Sequence, residues 1–274
     1  LKQRAITSGS VSVGILRFRD PAIGVAIAIA VTATLDANGL TAFSALPLLP
    51  LMLFFAFLER FSPRVLGFGW GKGGDYLLAA GYPLIVLGLV AGIAIVFGHG
   101  NVNAANVPKA LITFVSIVVG TLIVGLLTEE GFFRGWLWAS LQRRAMSVVA
   151  TLIATSIAFA LWHLSYVTLA KGFTLPPLQV ALFIVNAAVI GTIWGLMRAR
   201  SGSIVVSTVS HSLWNGAAYT AFGEGPKAGV LGLPNSIIFG PEIGIVGLTV
   251  NLIFLAILWS RPSGQPSTGA PSRP

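Results

Sequence analysis

The sequence predicts an all-α polytopic membrane protein, a bundle of about eight transmembrane helices. Three observations point that way. Charged residues make up 9% of the 274, against roughly 25% in an ordinary soluble domain. Hydrophobic residues make up 55% and the mean hydropathy is +0.87. The apolar residues are gathered into runs of membrane-crossing length. The same composition excludes a soluble globular enzyme and a disordered chain, and the absence of Cys excludes a disulfide scaffold. The net charge of +9 does not imply nucleic acid as a partner. The 17 Lys and Arg fall in small groups between apolar runs, as they do in loops beside a lipid bilayer, and form no single basic stripe.

A bilayer-crossing helix needs about 17–25 mostly apolar residues. The first candidate, 21–35, is short and must borrow flanking residues or tilt in a thin bilayer. It reads as a span and not as a cleaved signal, because the basic region before it (Lys2, Arg4, Arg17, Arg19) is long and no small-x-small site follows. Seven further runs meet the length: 40–58, 76–97, 110–127, 145–162, 178–197, 201–223 and 243–259. The organisation expected is an N-terminal set of helices 1–3 (1–109), a catalytic core of helices 4–7 (110–223), a last helix (224–259) and a Pro/Ser/Gly-rich disordered cytoplasmic tail (260–274).

The cations test this count. With the N-terminus cytoplasmic, thirteen Lys and Arg fall in cytoplasmic segments and three (Lys109, Lys171, Lys227) on the other side. By the positive-inside rule both termini are then cytoplasmic.

Six of the eight acidic residues (Asp20, Asp36, Glu59, Asp75, Glu224, Glu242) lie at or near span ends. Glu129 and Glu130 do not. They sit with Arg134 in GTLIVGLLTEEGFFRGWLWASL (120–141), so the fourth helix is expected to run from about 110 to Leu141 with three charges inside it. One such charge at mid-bilayer costs about 2.5–3.5 kcal/mol on insertion scales. His163 ends SIAFALWH, and His211 is followed four residues later by Asn215, on one helix face. The same spacing sets Phe159 beside His163 and Glu130 beside Arg134. At a helical rise of about 1.5 Å per residue, Glu129, His163, His211 and Asn215 lie roughly 16–28 Å from the nearest cationic span end, so the four can meet in one cavity. His99, in a Gly/Asn loop, is assigned no role.

Each residue alone has a plain structural reading: Glu130–Arg134 as a helix ion pair, a lone His as an interhelical donor, Asn215 as interhelical glue. Their coincidence at one depth favours a site. Glu with two His can supply a general base and acid, or zinc ligands. Asn and His donors can stabilise an oxyanion. There is no Cys nucleophile, no GxSxG turn and no HExxH. These tools suit water activation against an amide carbonyl.

The series Glu129-Glu130-x-x-x-Arg134, Phe159-x-x-x-His163 and His211-x-x-x-Asn215 resembles the motifs of the CPBP family, the CAAX-type prenyl proteases and bacteriocin-processing or Abi proteins, over about 110–220. The resemblance implies an intramembrane endopeptidase in which Glu129 activates water with help from His163, His211 and Asn215 stabilise the oxyanion, and Glu130, Arg134 and Phe159 shape the site. It leaves two mechanisms: a metal-free glutamate protease, which is favoured, or a Zn2+ metalloprotease with Glu129, His163 and His211 as ligands. The substrate would be a membrane-embedded or lipidated peptide or protein, and the cavity is expected to open toward the cytoplasm. Two other functions compete, a proton-coupled transporter and a catalytically inactive immunity or scaffold protein. No repeated halves favour the first, and the intact motif set disfavours the second. Ser/Gly-rich helix faces permit self-association without demanding it.

Overall fold

In a computed structural model, residues 18–98, 107–224, 227–232 and 237–260 are described. The described residues are all-α apart from a minimal antiparallel hairpin, β1 (Gly223–Glu224) with β2 (Lys227–Ala228). Among the described residues, six helical segments are long and apolar enough to cross a membrane. The eight expected runs all form helix, but the last two fall outside that group: one is interrupted by Ser, His and Asn, and the other is short.

The helices are α1 (Arg19–Ala37), α2 (Leu48–Leu58), α3 (Pro63–Leu66), α4 (Gly73–Gly98), α5 (Val107–Gly120), α6 (Trp138–Arg143), α7 (Val148–Trp162), α8 (Leu164–Leu169), α9 (Pro177–Ser201), α10 (Ile204–Ala221) and α11 (Ile245–Ser260). The short first run borrows Arg19 and Asp20 to reach 19 residues. The 40–58 run begins as a single 3₁₀ turn, Thr41–Phe43, before α2. His99, the basic residues before Phe18 and the tail after Ser260 lie outside the described residues.

Helix starts follow side-chain caps. Ser147 Oγ accepts from Ala150 N at 3.2 Å, and Ser203 Oγ accepts from Val205 N at 3.1 Å, which begin α7 and α10. Gly202 ends α9 in the left-handed conformation at φ 70°.

The fourth span differs from the uniform α-helix expected. Between α5 and α6, residues Thr121–Leu137 form a π-helix of 17 residues. Such i→i+5 ladders are rare and short in most proteins, and they collect at functional sites. Gly131 shows one reason it forms here: a Cβ would sit 3.0 Å from the carbonyl oxygen of Leu126, five residues back, and 3.3 Å from Met52 Cε. The missing side chain lets the wide ladder and α2 approach together.

The core lies where this segment meets its neighbours. Trp136 stacks on Phe55 of α2 at 4.7 Å and meets Phe132 at a tilt at 4.9 Å. On the far side, Tyr82 of α4 stacks on Trp214 of α10 at 5.3 Å. A buried polar chain ties three helices: Tyr82 Oη donates to Asn251 Oδ1 (2.7 Å) and Asn251 Nδ2 donates to Asn186 Oδ1 (2.9 Å). Interhelical bonds of this kind hold membrane bundles where no hydrophobic drive acts between helices.

The two ends of the bundle differ in charge. At one end Glu59 accepts from Arg144 Nη1 (2.8 Å), Ser140 Oγ (2.6 Å) and Trp136 Nε1 (3.1 Å). Arg144 also pairs with Asp20 at 3.2 Å, Arg198 donates to Val65 O at 3.3 Å and Arg200 to Leu258 O at 2.6 Å. At the opposite end Asp36, fully buried, accepts from Ser44 Oγ (2.5 Å) and Ser165 Oγ (2.7 Å), joining α1 to α8.

Candidate active site

Three elements deliver the expected residues to one place. The π segment carries Glu129, Glu130 and Arg134. His163 stands at the break between α7 and α8. His211 and Asn215 lie on α10, whose start is set by the Ser203 cap, so His211 is held about 12 Å along that helix.

Glu129 Oε2 lies 3.9 Å from Nε2 of His163 and 3.9 Å from Nε2 of His211. The two glutamates then part. Side-chain exposure is 16% for Glu129 and 20% for His163, but 0% for Glu130 and Arg134, so only the first pair meets solvent. Glu130 is fully engaged behind it. Its Oε1 accepts from Arg134 Nη1 at 3.2 Å and lies 3.2 Å from His211 Nδ1, and its Oε2 accepts from Ser207 Oγ at 2.7 Å. Arg134 also donates to the Gly191 carbonyl at 3.3 Å and sits 4.1 Å from the centroid of Phe159. Phe159 in turn accepts from His163 Nδ1 through its carbonyl at 2.9 Å and meets the His163 ring edge-on at 4.4 Å.

These contacts decide the ring protons. A backbone carbonyl only accepts, so His163 carries its proton on Nδ1. The arginine-paired Glu130 carboxylate likewise draws a proton to Nδ1 of His211. Both Nε2 atoms therefore face Glu129.

Sequence reasoning missed four residues here. Trp194 stacks on His211 at 4.1 Å and 22°. Ser207, one turn before His211, was visible only as another small polar residue. Asn186 and Glu242 line the same cavity as Glu129. Glu242 reads as a span-end charge, yet Asn186 Nδ2 donates to the carbonyls of Pro241 and Glu242 at 2.8 and 3.0 Å and folds that loop inward, where Glu242 Oε1 accepts from Trp214 Nε1 at 2.9 Å. No sequence signal marked this return.

Glu129 borders three spaces. A cavity of about 90 Å3 holds His163, His211, Asn215 and Trp194, room for a few waters. A wider one of about 560 Å3 runs from Glu129 and His163 past Tyr166 to Asp36, Thr41 and Lys171. A third of about 320 Å3 leaves sideways between Asn215, Tyr219, Gly120, Thr121 and Gly125. The wide opening is at the end away from the arginines. Toward the cationic end, Phe132, Trp136, Arg134 and Met197, all buried, fill the bundle.

A zinc ion bonded at about 2.0–2.1 Å would hold its ligand atoms roughly 3.3 Å apart. Glu129 stands 3.9 Å from each imidazole nitrogen, and among the described residues no group of three or more His, Cys, Asp or Glu is arranged to hold a metal ion. As placed, the three side chains do not fit a zinc site.

Compared with known protein families, residues 107–217 match the type II CAAX prenyl endopeptidase Rce1-like family. The match speaks to the prenyl-endopeptidase relatives named above and not to the bacteriocin-processing or Abi ones. No curated protein and no solved structure matches the chain. The matched stretch supplies Glu129, Glu130, Arg134, Phe159, His163, His211 and Asn215. Residues 107–217 are thus similar to the Rce1-like family of type II CAAX prenyl endopeptidases, within a multi-pass, all-α membrane protein.

Proposed function

We propose that the protein is a metal-free intramembrane endopeptidase that hydrolyses a peptide bond in a membrane-associated substrate. The observation that carries this reading is Glu129, partly exposed, facing Nε2 of two histidines at equal distance in a cavity with room for water.

Water bound between Glu129 and His163 would lose a proton to the Glu129 carboxylate as its oxygen attacks the carbonyl carbon. His163 would hold that water in line, its own Nδ1 proton fixed on the Phe159 carbonyl. The developing oxyanion would lie against the Asn215 amide and His211 Nε2. Donation from His211 Nε2 requires a proton on both ring nitrogens. An imidazolium there would lie between two carboxylates, Glu130 at Nδ1 and Glu129 at Nε2. Collapse would return the proton from Glu129 to the leaving amine, giving a carboxylic acid and a new amino terminus. Both termini and the arginine-rich end are assigned to the cytoplasm on the positive-inside rule.

The test is cleavage of a panel of membrane peptides, with and without a C-terminal prenyl group, by protein reconstituted in vesicles and followed by mass spectrometry. Loss of cleavage of about 10²-fold or more in both Glu129→Gln and Asn215→Ala supports the reading. Full activity in Glu129→Gln, or proton flux without cleavage, would overturn it.

A further inference from the structure

The orientation of the site has a consequence for its substrate, which rests on the protease reading above. Arg144, Arg198 and Arg200 engage groups at one end of the bundle, where α1, α6, α9 and α11 have their termini. The exposed Arg64 and Lys72 lie in the connection between α2 and α4 at that same end. The wide cavity at Glu129 reaches the other end, past Asp36, Thr41 and Lys171. Between the catalytic carboxylate and the arginines stand Phe132, Arg134, Trp136 and Met197, none more than 1% exposed. A separate cavity at the arginine end, about 340 Å3 and lined by Trp138, Arg143 and Arg198, holds no member of the site.

Positive charge marks the cytoplasmic side of a multi-pass chain because short cationic loops resist translocation. We infer that the site opens to the non-cytoplasmic face and takes a translocated polypeptide, anchored in the membrane with its scissile bond on that face. A cytosolic chain anchored by a C-terminal prenyl group would meet the closed floor. The sideways opening at Gly120, Thr121 and Gly125 lets the substrate's membrane anchor stay in lipid while the bond beyond it reaches Glu129.

The chain has no Cys, so single cysteines report sidedness without background. Four variants would be made in the full protein: Asn38→Cys and Lys171→Cys at the cavity end, Arg64→Cys and Lys72→Cys at the arginine end, all exposed positions. Spheroplasts of a bacterial expression host would be treated with a membrane-impermeant maleimide before and after permeabilisation. The inference expects Asn38→Cys and Lys171→Cys to label in intact spheroplasts, and Arg64→Cys and Lys72→Cys only after permeabilisation. The reverse pattern, labelling of all four from outside, or labelling of none until permeabilisation would each overturn it.

A second arm uses two single-span reporters carrying the same cleavable segment, one on the outer face and one on the inner. Glu129-dependent cut of the outer reporter alone supports the inference, and cut of the inner one overturns it. Labelling does not depend on activity. An outward labelling pattern with neither reporter cut would therefore overturn the protease reading and this substrate with it, while leaving the orientation standing.

Discussion

Glu130 and His211, 81 residues apart in sequence, meet at 3.2 Å between Oε1 and Nδ1, deep behind the cavity. The second glutamate of the pair thus addresses the histidine, and the first addresses the water-accessible space. Glu130→Gln tests this division. A Gln side chain keeps the shape of Glu130 but removes the negative charge that faces Nδ1, and with it the support for a ring protonated on both nitrogens, the form that donates from Nε2 to the oxyanion. The turnover number should fall at least about tenfold with KM little changed. Glu130→Ala, which strands the buried Arg134, should also lose about 3–5 kcal/mol of stability. Steady-state kinetics and thermal unfolding in detergent separate the two effects.

Trp194 forms one wall of His211, with ring centroids 4.1 Å apart. Trp194→Phe keeps an aromatic face and should retain most activity. Trp194→Ala removes it and should lower turnover well beyond the change in melting temperature. If both variants lose equal activity, the stack does not hold the ring.

Gly67 adopts φ +89°, and a Cβ there would fall 2.7 Å from Cζ of Arg198. That guanidinium donates to the Arg134 carbonyl at 3.2 Å, at the foot of the site. Gly67→Ala therefore combines about 1–2 kcal/mol of left-handed strain with displacement of Arg198. Thermal unfolding should show a clear loss of stability, and Arg198→Lys should restore part of it in the double variant.

Gly120 lies at the sideways opening, and a Cβ there would meet nothing within 4 Å. Gly120→Trp should fold normally and block the gap. Cleavage of membrane-anchored peptides should drop severalfold, while a short unanchored peptide is cut at the original rate. Equal loss for both substrates would mean the gap is not a route.

The carboxylate–imidazole distances exceed those of a zinc site, so chelation should leave cleavage unchanged. The purified protein should contain no stoichiometric zinc by elemental analysis. Inactivation by a chelator with recovery on adding zinc would refute the metal-free reading.

Much of this was legible in the sequence because membrane composition is so one-sided. With few charges, Glu129, Glu130 and Arg134 stood out within an apolar run, and helical spacing paired Glu130 with Arg134 and His211 with Asn215. Depth arithmetic brought three helices to one level. What it could not supply was rotation about the helix axis. That hid the stacking of Trp194 on His211, the inward loop that carries Glu242, and the π segment itself, since apolarity all round leaves no periodic face to read. The direction of the opening was hidden for another reason. It depends on which large side chains, Phe132 and Trp136 among them, fill one half of the bundle, and bulk packing leaves no mark in hydropathy.

The wide ladder through Thr121–Leu137 makes the angular position of Glu129 a matter of residue count. An ordinary helix turns about 100° per residue. Deleting one residue upstream, Leu122 for example, would let that stretch relax toward the ordinary winding and swing Glu129 away from both histidines while the span still crosses the bilayer. Single-residue insertions and deletions in this stretch would then gain or lose the enzyme within an intact membrane protein, an evolutionary switch between hydrolase and inert bundle that no substitution at the site would be needed to throw.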